Sequence, residues 1–187
     1  MSRSVCVRAV LLIAGLAFAS FATAPPAAHA ASAAELARDA KAALSDLYAA
    51  EPSAKVVGQK ARAILVFPRM VKAGFMFGGQ IGEGAMLKGG KAVAYYNSVA
   101  ASYGLQAGAQ TFGYALFFMN QDSLDQLDST HGFELGAGPS FVLVTEGIAK
   151  SMTSNTLTSD VYSYVFGQMG LMGGIGLQGS KLTRISK

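Results

Sequence analysis

Few residues in this chain are equipped for covalent or metal chemistry. Among 187 residues there is one cysteine, Cys6, and two histidines, His29 and His131. Cys6 and His29 lie within the first thirty residues, so beyond them a single imidazole remains. A zinc centre normally draws on Cys and His, and here would rest on carboxylates. A Ser-His-acid site would have to use His131, and no Gly-x-Ser-x-Gly elbow accompanies it. His131, next to Gly132, reads as a turn residue. Asp122, Asp125 and Asp128 recur every third residue, which lines them along one side of a helix. A calcium loop needs alternate-residue ligands and a distal Glu, so these read as a solvated face. Residues 74–84 are rich in glycine but do not lead from a strand into a helix, as a nucleotide-binding turn does. The expectation is a protein with no catalytic residues, no metal ligands and no cofactor, and not an enzyme.

What remains is charge and apolar surface. Residues 31–54 carry net charge −2, residues 55–91 net +6 and residues 92–187 net −2. The basic middle comprises Lys55, Lys60, Arg62, Arg69, Lys72, Lys88 and Lys91 against the single acid Glu83. These seven are the candidate binding residues. Each basic side chain near an anionic lipid surface contributes roughly 1 kcal/mol of attraction. The competing reading scatters them as ordinary solvated lysines around the fold. Nucleic acid is a poor partner, because the overall excess is small and no recognisable module is present. Tyr95-Tyr96 and Phe117-Phe118 put rings on both sides of an extended chain. One ring of each pair is expected in the core, and the other is left for packing or for lipid contact.

The elements that must carry these residues change character along the chain. Residues 1–30 have an arginine-bearing start, an apolar run over 9–24, and Ala28-His29-Ala30 after two prolines. That is the layout of a secretory signal peptide cleaved near Ala30. Cys6 precedes the apolar run, so the segment does not read as a lipoprotein signal. The expected location is periplasmic or secreted. Residues 31–62 read as a helical preface. Leu36, Ala40, Ala43 and Leu47 form one helical stripe, and Ser32 with Glu35 forms a capping box. Pro52 stops that helix and opens a second. Residues 63–187 read mainly as strands, with a short helix near 120–130. The apolar run 61–67 is expected to end at Pro68. Phe75, Phe77, Ile81, Ala85 and Leu87 alternate with small or polar residues, and Gly89-Gly90 marks a hairpin turn. Of the 22 glycines, all but Gly15 lie at or beyond Gly58. Glycine within alternating apolar sequence marks bends and close approaches of strands. The expected fold is α+β: N-terminal helices packed on a curved, antiparallel, glycine-rich sheet of several short strands, barrel-like or a sandwich.

A set of segments carries a further signal. In order, they are Ala63-Ile64-Leu65-Val66-Phe67-Pro68, Lys72-Ala73-Gly74-Phe75, Gly78-Gly79 and Gly82-Glu83-Gly84. Then come 102–110, Gly136-Ala137-Gly138-Pro139, Tyr162-Ser163-Tyr164 and 170–180. Their order and spacing resemble the lipid-binding SYLF domain family over roughly residues 35–185. Where that family usually has Gly-Gly-Trp-Ser-x-Pro, this chain reads Gly89-Gly90-Lys91-Ala92-Val93-Ala94. The resemblance implies a single domain over 31–187 that binds lipid. Eukaryotic members bind phosphoinositides, and some bind and bundle actin. Actin fits poorly with a chain that reads as exported and has no attached SH3 module. Some eukaryotic members use an amphipathic N-terminal helix at membranes. The corresponding helix here is net negative and is expected to pack on the sheet. The resulting expectation is a cell-envelope protein contacting anionic phospholipid through its basic segment. The alternative is an envelope interaction module with a protein partner and no dependence on lipid.

Overall fold

In a computed structural model of the chain, contacts divide it into residues 1–30 and residues 31–187. The structure describes residues 31–129, 133–134, 141–145, 157–172 and 181–187. Helix α1 (Ala33–Ala50) begins at the expected capping box. The Ser32 hydroxyl accepts the Glu35 N–H, and the Glu35 carboxylate accepts the Ser32 N–H at 2.9 Å. The Ser32 N–H foremost, and then the Ser32 hydroxyl donating to the same carboxylate at 2.8 Å, hold the Glu35 carboxyl below its ordinary pKa. The Glu51 N–H bonds back to the Leu47 carbonyl and ends α1. Pro52, which has no N–H to lose, then starts α2 (Pro52–Lys60).

Two very long strands follow, β1 (Ala63–Lys88) and β2 (Lys91–Phe118). They pair antiparallel from Ala63↔Phe118 down to Lys88↔Lys91. The turn is Gly89-Gly90 with φ of 54° and 74°, the left-handed pair that a two-residue hairpin requires. Helix α3 (Gln121–Ser129) comes next, opened by the Asn120 side-chain oxygen Oδ1 accepting the Ser123 N–H at 2.9 Å. The remaining strands are β3 (Phe133–Glu134), β4 (Phe141–Leu143), β5 (Val161–Met172) and β6 (Lys181–Ile185). The path through the sheet is β3-β6-β2-β5-β4, with β1 also on β2. All pairings are antiparallel except β4 with β5. Strand β2 thus has β1 along one edge, and β6 and β5 sharing the other.

The expectation of several short strands gives way here to a doubled-over hairpin. A straight strand advances about 3.3 Å per residue, so Val66 and Gly84 would lie roughly 60 Å apart. Instead the backbone of Gly84 lies against the Val66 carbonyl and the Phe67 ring, and Gly82 lies against Arg69 and Met70. Strand β1 folds back so that its two halves touch. The ladder is irregular between Phe75 and Phe77, and just before that point Gly108, the partner of Gly74, has φ of 137°. Pro68 does not end the strand; it sits in a second irregularity, between Phe67 and Met70, where its missing N–H leaves no gap in the ladder.

Folding the hairpin in half creates two cores. Inside the fold lie Leu65, Phe67, Met70, Met86, Tyr96, Phe112, Tyr114, Leu116 and Phe118, closed by Leu124 and Leu127 of α3 and by Leu182 of β6. On the outer face Ile64, Val66, Ala85, Leu87, Ala115, Phe117, Tyr162 and Tyr164 lie beneath Leu36, Ala40, Leu47, Ala54 and Val57 of the two helices. Both faces of the strands are covered, so consecutive residues from Ala63 to Phe67 are all buried. Phe117 and Phe118 are both fully buried, one in each core. The second ring of that pair therefore packs under the helices and offers no lipid-facing surface. The sheet curls without closing, which makes this an α+β fold with N-terminal helices on a curved sheet.

Candidate functional site

The seven basic residues do not gather into one patch. Lys55 and Lys60 are exposed on α2, and Arg62 is exposed at the entry to β1. Lys72 is only 7% exposed, so it contributes little free surface charge. Lys88 and Lys91 are exposed and directly opposite one another at the hairpin tip. Among the described residues neither makes an ion pair. Like charges facing each other across a strand pair are destabilising. Two residues from Lys91, Val93 is 50% exposed. Further along the same hairpin Ile81 and Val99, cross-strand partners, are 55% and 49% exposed. Glu83 does not neutralise this segment's cations. It accepts from the Lys187 ammonium at 2.7 Å, and that ammonium also reaches the Ala31 carbonyl.

Arg69 stands apart from the others, in a groove of about 570 Å³. The groove arises from two adjacent irregularities of the sheet. In β1, Pro68 and Arg69 together oppose the single residue Gly113 of β2. In β5, Gly167 and Gln168 together oppose Phe112 of β2. An extra residue on each side of the same point bends the sheet and increases its twist. Gly167 takes φ of 58°, a conformation glycine adopts without strain. Gly113 leaves its face bare, and the Phe166 ring lies against it where a Cβ would be. The C-terminal half of α1 roofs the resulting corner with Ala43, Asp46, Leu47 and Ala50. The walls are apolar, with Arg69 and Asp46 as the charged groups. Met169, on the rim, is 70% exposed. No direct signal in the sequence points to this groove, because its residues come from α1, β1, β2 and β5. The indirect signs are Pro68-Arg69 interrupting an apolar run, and glycine at 113 and 167.

Two of the three aspartates of α3 make structural contacts. Asp128 accepts from the Tyr96 hydroxyl at 2.7 Å and lies 3.6 Å from the Arg184 guanidinium, tying α3 to β2 and β6. Asp125 accepts from Gln121 one helical turn earlier. Asp122, Asp125 and Asp128 are all exposed, as expected of a solvated face, and the contacts of Asp125 and Asp128 are made on it. His131 lies outside the described residues. Burial, reinforced by the hydrogen bond to Asp128, raises the Tyr96 phenol well above its ordinary pKa. Burial likewise raises Tyr48, Tyr114 and Tyr164. Among the described residues no group of three His, Cys, Asp or Glu comes together.

A doubled, glycine-rich hairpin carrying helices on its outer face, with exposed lysines at its tip, describes a binding module in general terms. Residues 99–186 match the protein family described as Ysc84: Las17-binding protein actin regulator. This match is consistent with the SYLF family, which is associated with binding of lipid and of actin. The matched span runs from the middle of β2 through β6. The basic segment in α2 and β1 precedes it. Among curated proteins, none matches the chain.

Proposed function

We propose that this protein is a non-enzymatic lipid-binding protein of the cell envelope, drawn to anionic phospholipid by the basic residues of α2 and the β1–β2 hairpin. The observation that carries the reading is the hairpin tip. Lys88 and Lys91 face each other without an acidic partner among the described residues, and Val93 is exposed beside them. An anionic surface relieves the repulsion between the two ammonium groups, and an exposed valine gains by entering the headgroup boundary. Lys55, Lys60 and Arg62 add exposed positive charge. The association of the SYLF family with lipid supports the same reading. Export is supported by the signal-like sequence of residues 1–30.

Sedimentation with vesicles tests this directly. Vesicles rich in phosphatidylglycerol are expected to carry the protein down, and purely zwitterionic phosphatidylcholine vesicles are not. Binding should weaken as salt rises, because exposed charges are screened within about 10 Å at 0.1 M. Replacing Lys88 and Lys91 with Gln should cost about 2 kcal/mol, roughly a thirtyfold loss. Equal binding to both vesicle types, or binding to neither, would sink the proposal. Capture of an envelope protein without lipid would then favour the interaction-module alternative, for which the exposed Ile81–Val99 pair offers a surface.

A further inference from the structure

We infer that the groove beneath the C-terminal half of α1 is a site for one acyl chain of a phospholipid whose head carries both a phosphate and an amine, as phosphatidylethanolamine does. The inference rests on the lipid-binding reading above and assigns it a second contact, in an open groove. It stands on three observations. First, the space is large enough. At about 570 Å³ the groove falls within the roughly 300–1,000 Å³ typical of small-ligand sites, and is far larger than a single ion needs. Second, its walls suit hydrocarbon. Leu47, Phe112, Phe166 and Met169 face it, and Met169 stands 70% exposed where a bound chain would cover it. Third, the charges at its edge are one of each sign. Arg69 and Asp46 both line the groove, and among the described residues neither has an ion pair.

A peptide is the weaker match. A segment docking beside a sheet draws its affinity from unpaired strand backbone. The floor of this groove is residues 111–113 of β2, a strand paired with β1 on one edge and β5 on the other. In addition, Pro68 on the β1 wall has no N–H to donate. What the groove offers is apolar side chains, with a guanidinium and a carboxylate as its charged groups. That combination suits an amphiphile with a dipolar head. The guanidinium takes the phosphate, for which its planar fork of donors is matched, and the carboxylate takes the ammonium. A purely anionic head satisfies Arg69 but leaves Asp46 facing like charge.

The test uses soluble short-chain lipids at high salt, where attraction between exposed charges is screened. The protein is labelled at its methionine methyl groups and titrated with dihexanoyl phosphatidylethanolamine or dihexanoyl phosphatidylglycerol, each below its micelle concentration. Phosphatidylethanolamine is expected to shift the Met169 methyl resonance and to bind more tightly than phosphatidylglycerol. Asp46→Asn should shrink that preference about fivefold, the size of one exposed charge contact. Ala50→Trp, at an exposed position on the groove roof, should abolish the shift while leaving vesicle sedimentation intact. If vesicles sediment the protein but neither lipid moves Met169, the groove inference falls and the surface reading stands. Binding to neither vesicles nor soluble lipid overturns both. Equal affinity for the two heads, unchanged in Asp46→Asn, overturns the assignment of a dipolar head.

Discussion

Gly84→Ala probes the folding back of β1, the feature on which the rest of the architecture depends. A methyl placed on Gly84 would lie 2.8 Å from the Val66 carbonyl oxygen and 2.7 and 2.9 Å from two carbons of the Phe67 ring. Neither neighbour can yield cheaply. Val66 and Phe67 are fully buried and held in the ladder opposite Ala115 and Tyr114. The Phe67 ring is also stacked on Tyr114, with centroids 6.3 Å apart. Overpacking of this kind costs about 1–3 kcal/mol. Alanine recovers about 0.4–1 kcal/mol by restricting the unfolded chain, which leaves a net loss of roughly 1–2 kcal/mol. For a chain of this size that lowers Tm by about 2–8 °C. The matched control is Gly79→Ala, five residues away in the same strand. Its only neighbour within reach is the Ala100 carbonyl oxygen at 4.0 Å. There the entropic term acts alone, and stability should be unchanged or up to about 1 kcal/mol higher. Thermal and urea unfolding of the two variants, followed by circular dichroism, gives the comparison. If Gly84→Ala proves as stable as Gly79→Ala, the two halves of β1 do not touch and the doubled hairpin is wrong.

Three further outcomes follow from the packing and the caps. Phe117→Ala removes a fully buried ring whose centroid lies 5.3 Å from that of Tyr164 in an edge-on arrangement and 6.4 Å from that of Tyr48. It should cost about 3–5 kcal/mol in urea unfolding, and a loss under 1 kcal/mol would contradict the outer core. Ser32→Ala removes the cap of α1 and should cost about 0.5–2 kcal/mol; an unchanged urea midpoint would mean that the capping box is not formed. The phenols of Tyr48, Tyr96, Tyr114 and Tyr164 all titrate above their ordinary value of 10.0 in the folded state. Their contribution is therefore complete below about pH 10 and is lost as pH rises through the folded values. Absorbance titration at alkaline pH should show these tyrosines ionising together with loss of structure. Ionisation of all seven near pH 10 with the fold intact would refute their burial.

The local elements were legible because their causes are local. Ser32 and Glu35 find each other across a single helical turn, and the Leu36, Ala40, Leu47 stripe marks the face of α1 that is buried. Gly89-Gly90 marked the hairpin because few other residues accept two successive left-handed conformations. Pro68 misled for an equally local reason. Read alone it breaks a strand, but at an irregularity between Phe67 and Met70 it interrupts nothing. The Phe117-Phe118 pair left packing and lipid contact both open, because period-two alternation does not reveal a sheet covered on both faces; the structure decides for packing. The basic residues were visible as a sequence cluster, but they spread over α2, the bend of β1 and the hairpin tip. Lys72 turned out to be buried. The groove at Arg69 left only indirect signs, Pro68-Arg69 and the glycines at 113 and 167. It depends on Asp46, Arg69, Phe112 and Met169 meeting from four elements.

The sequence by itself determined the order of elements, the placement of the turns and the glycine-rich character of the sheet, because backbone preference and side-chain period act over a few residues. It also carried the segments that resemble the SYLF family. Only the tertiary structure decided that two strands of 26 and 28 residues would double over. It likewise decided that both of their faces would be buried, and that two neighbouring irregularities would open a groove under α1. Those outcomes depend on which distant backbones can approach each other. At Gly84 and Gly113 that approach is permitted by the absence of a single methyl group, and its consequence appears only once the chain has folded back on itself.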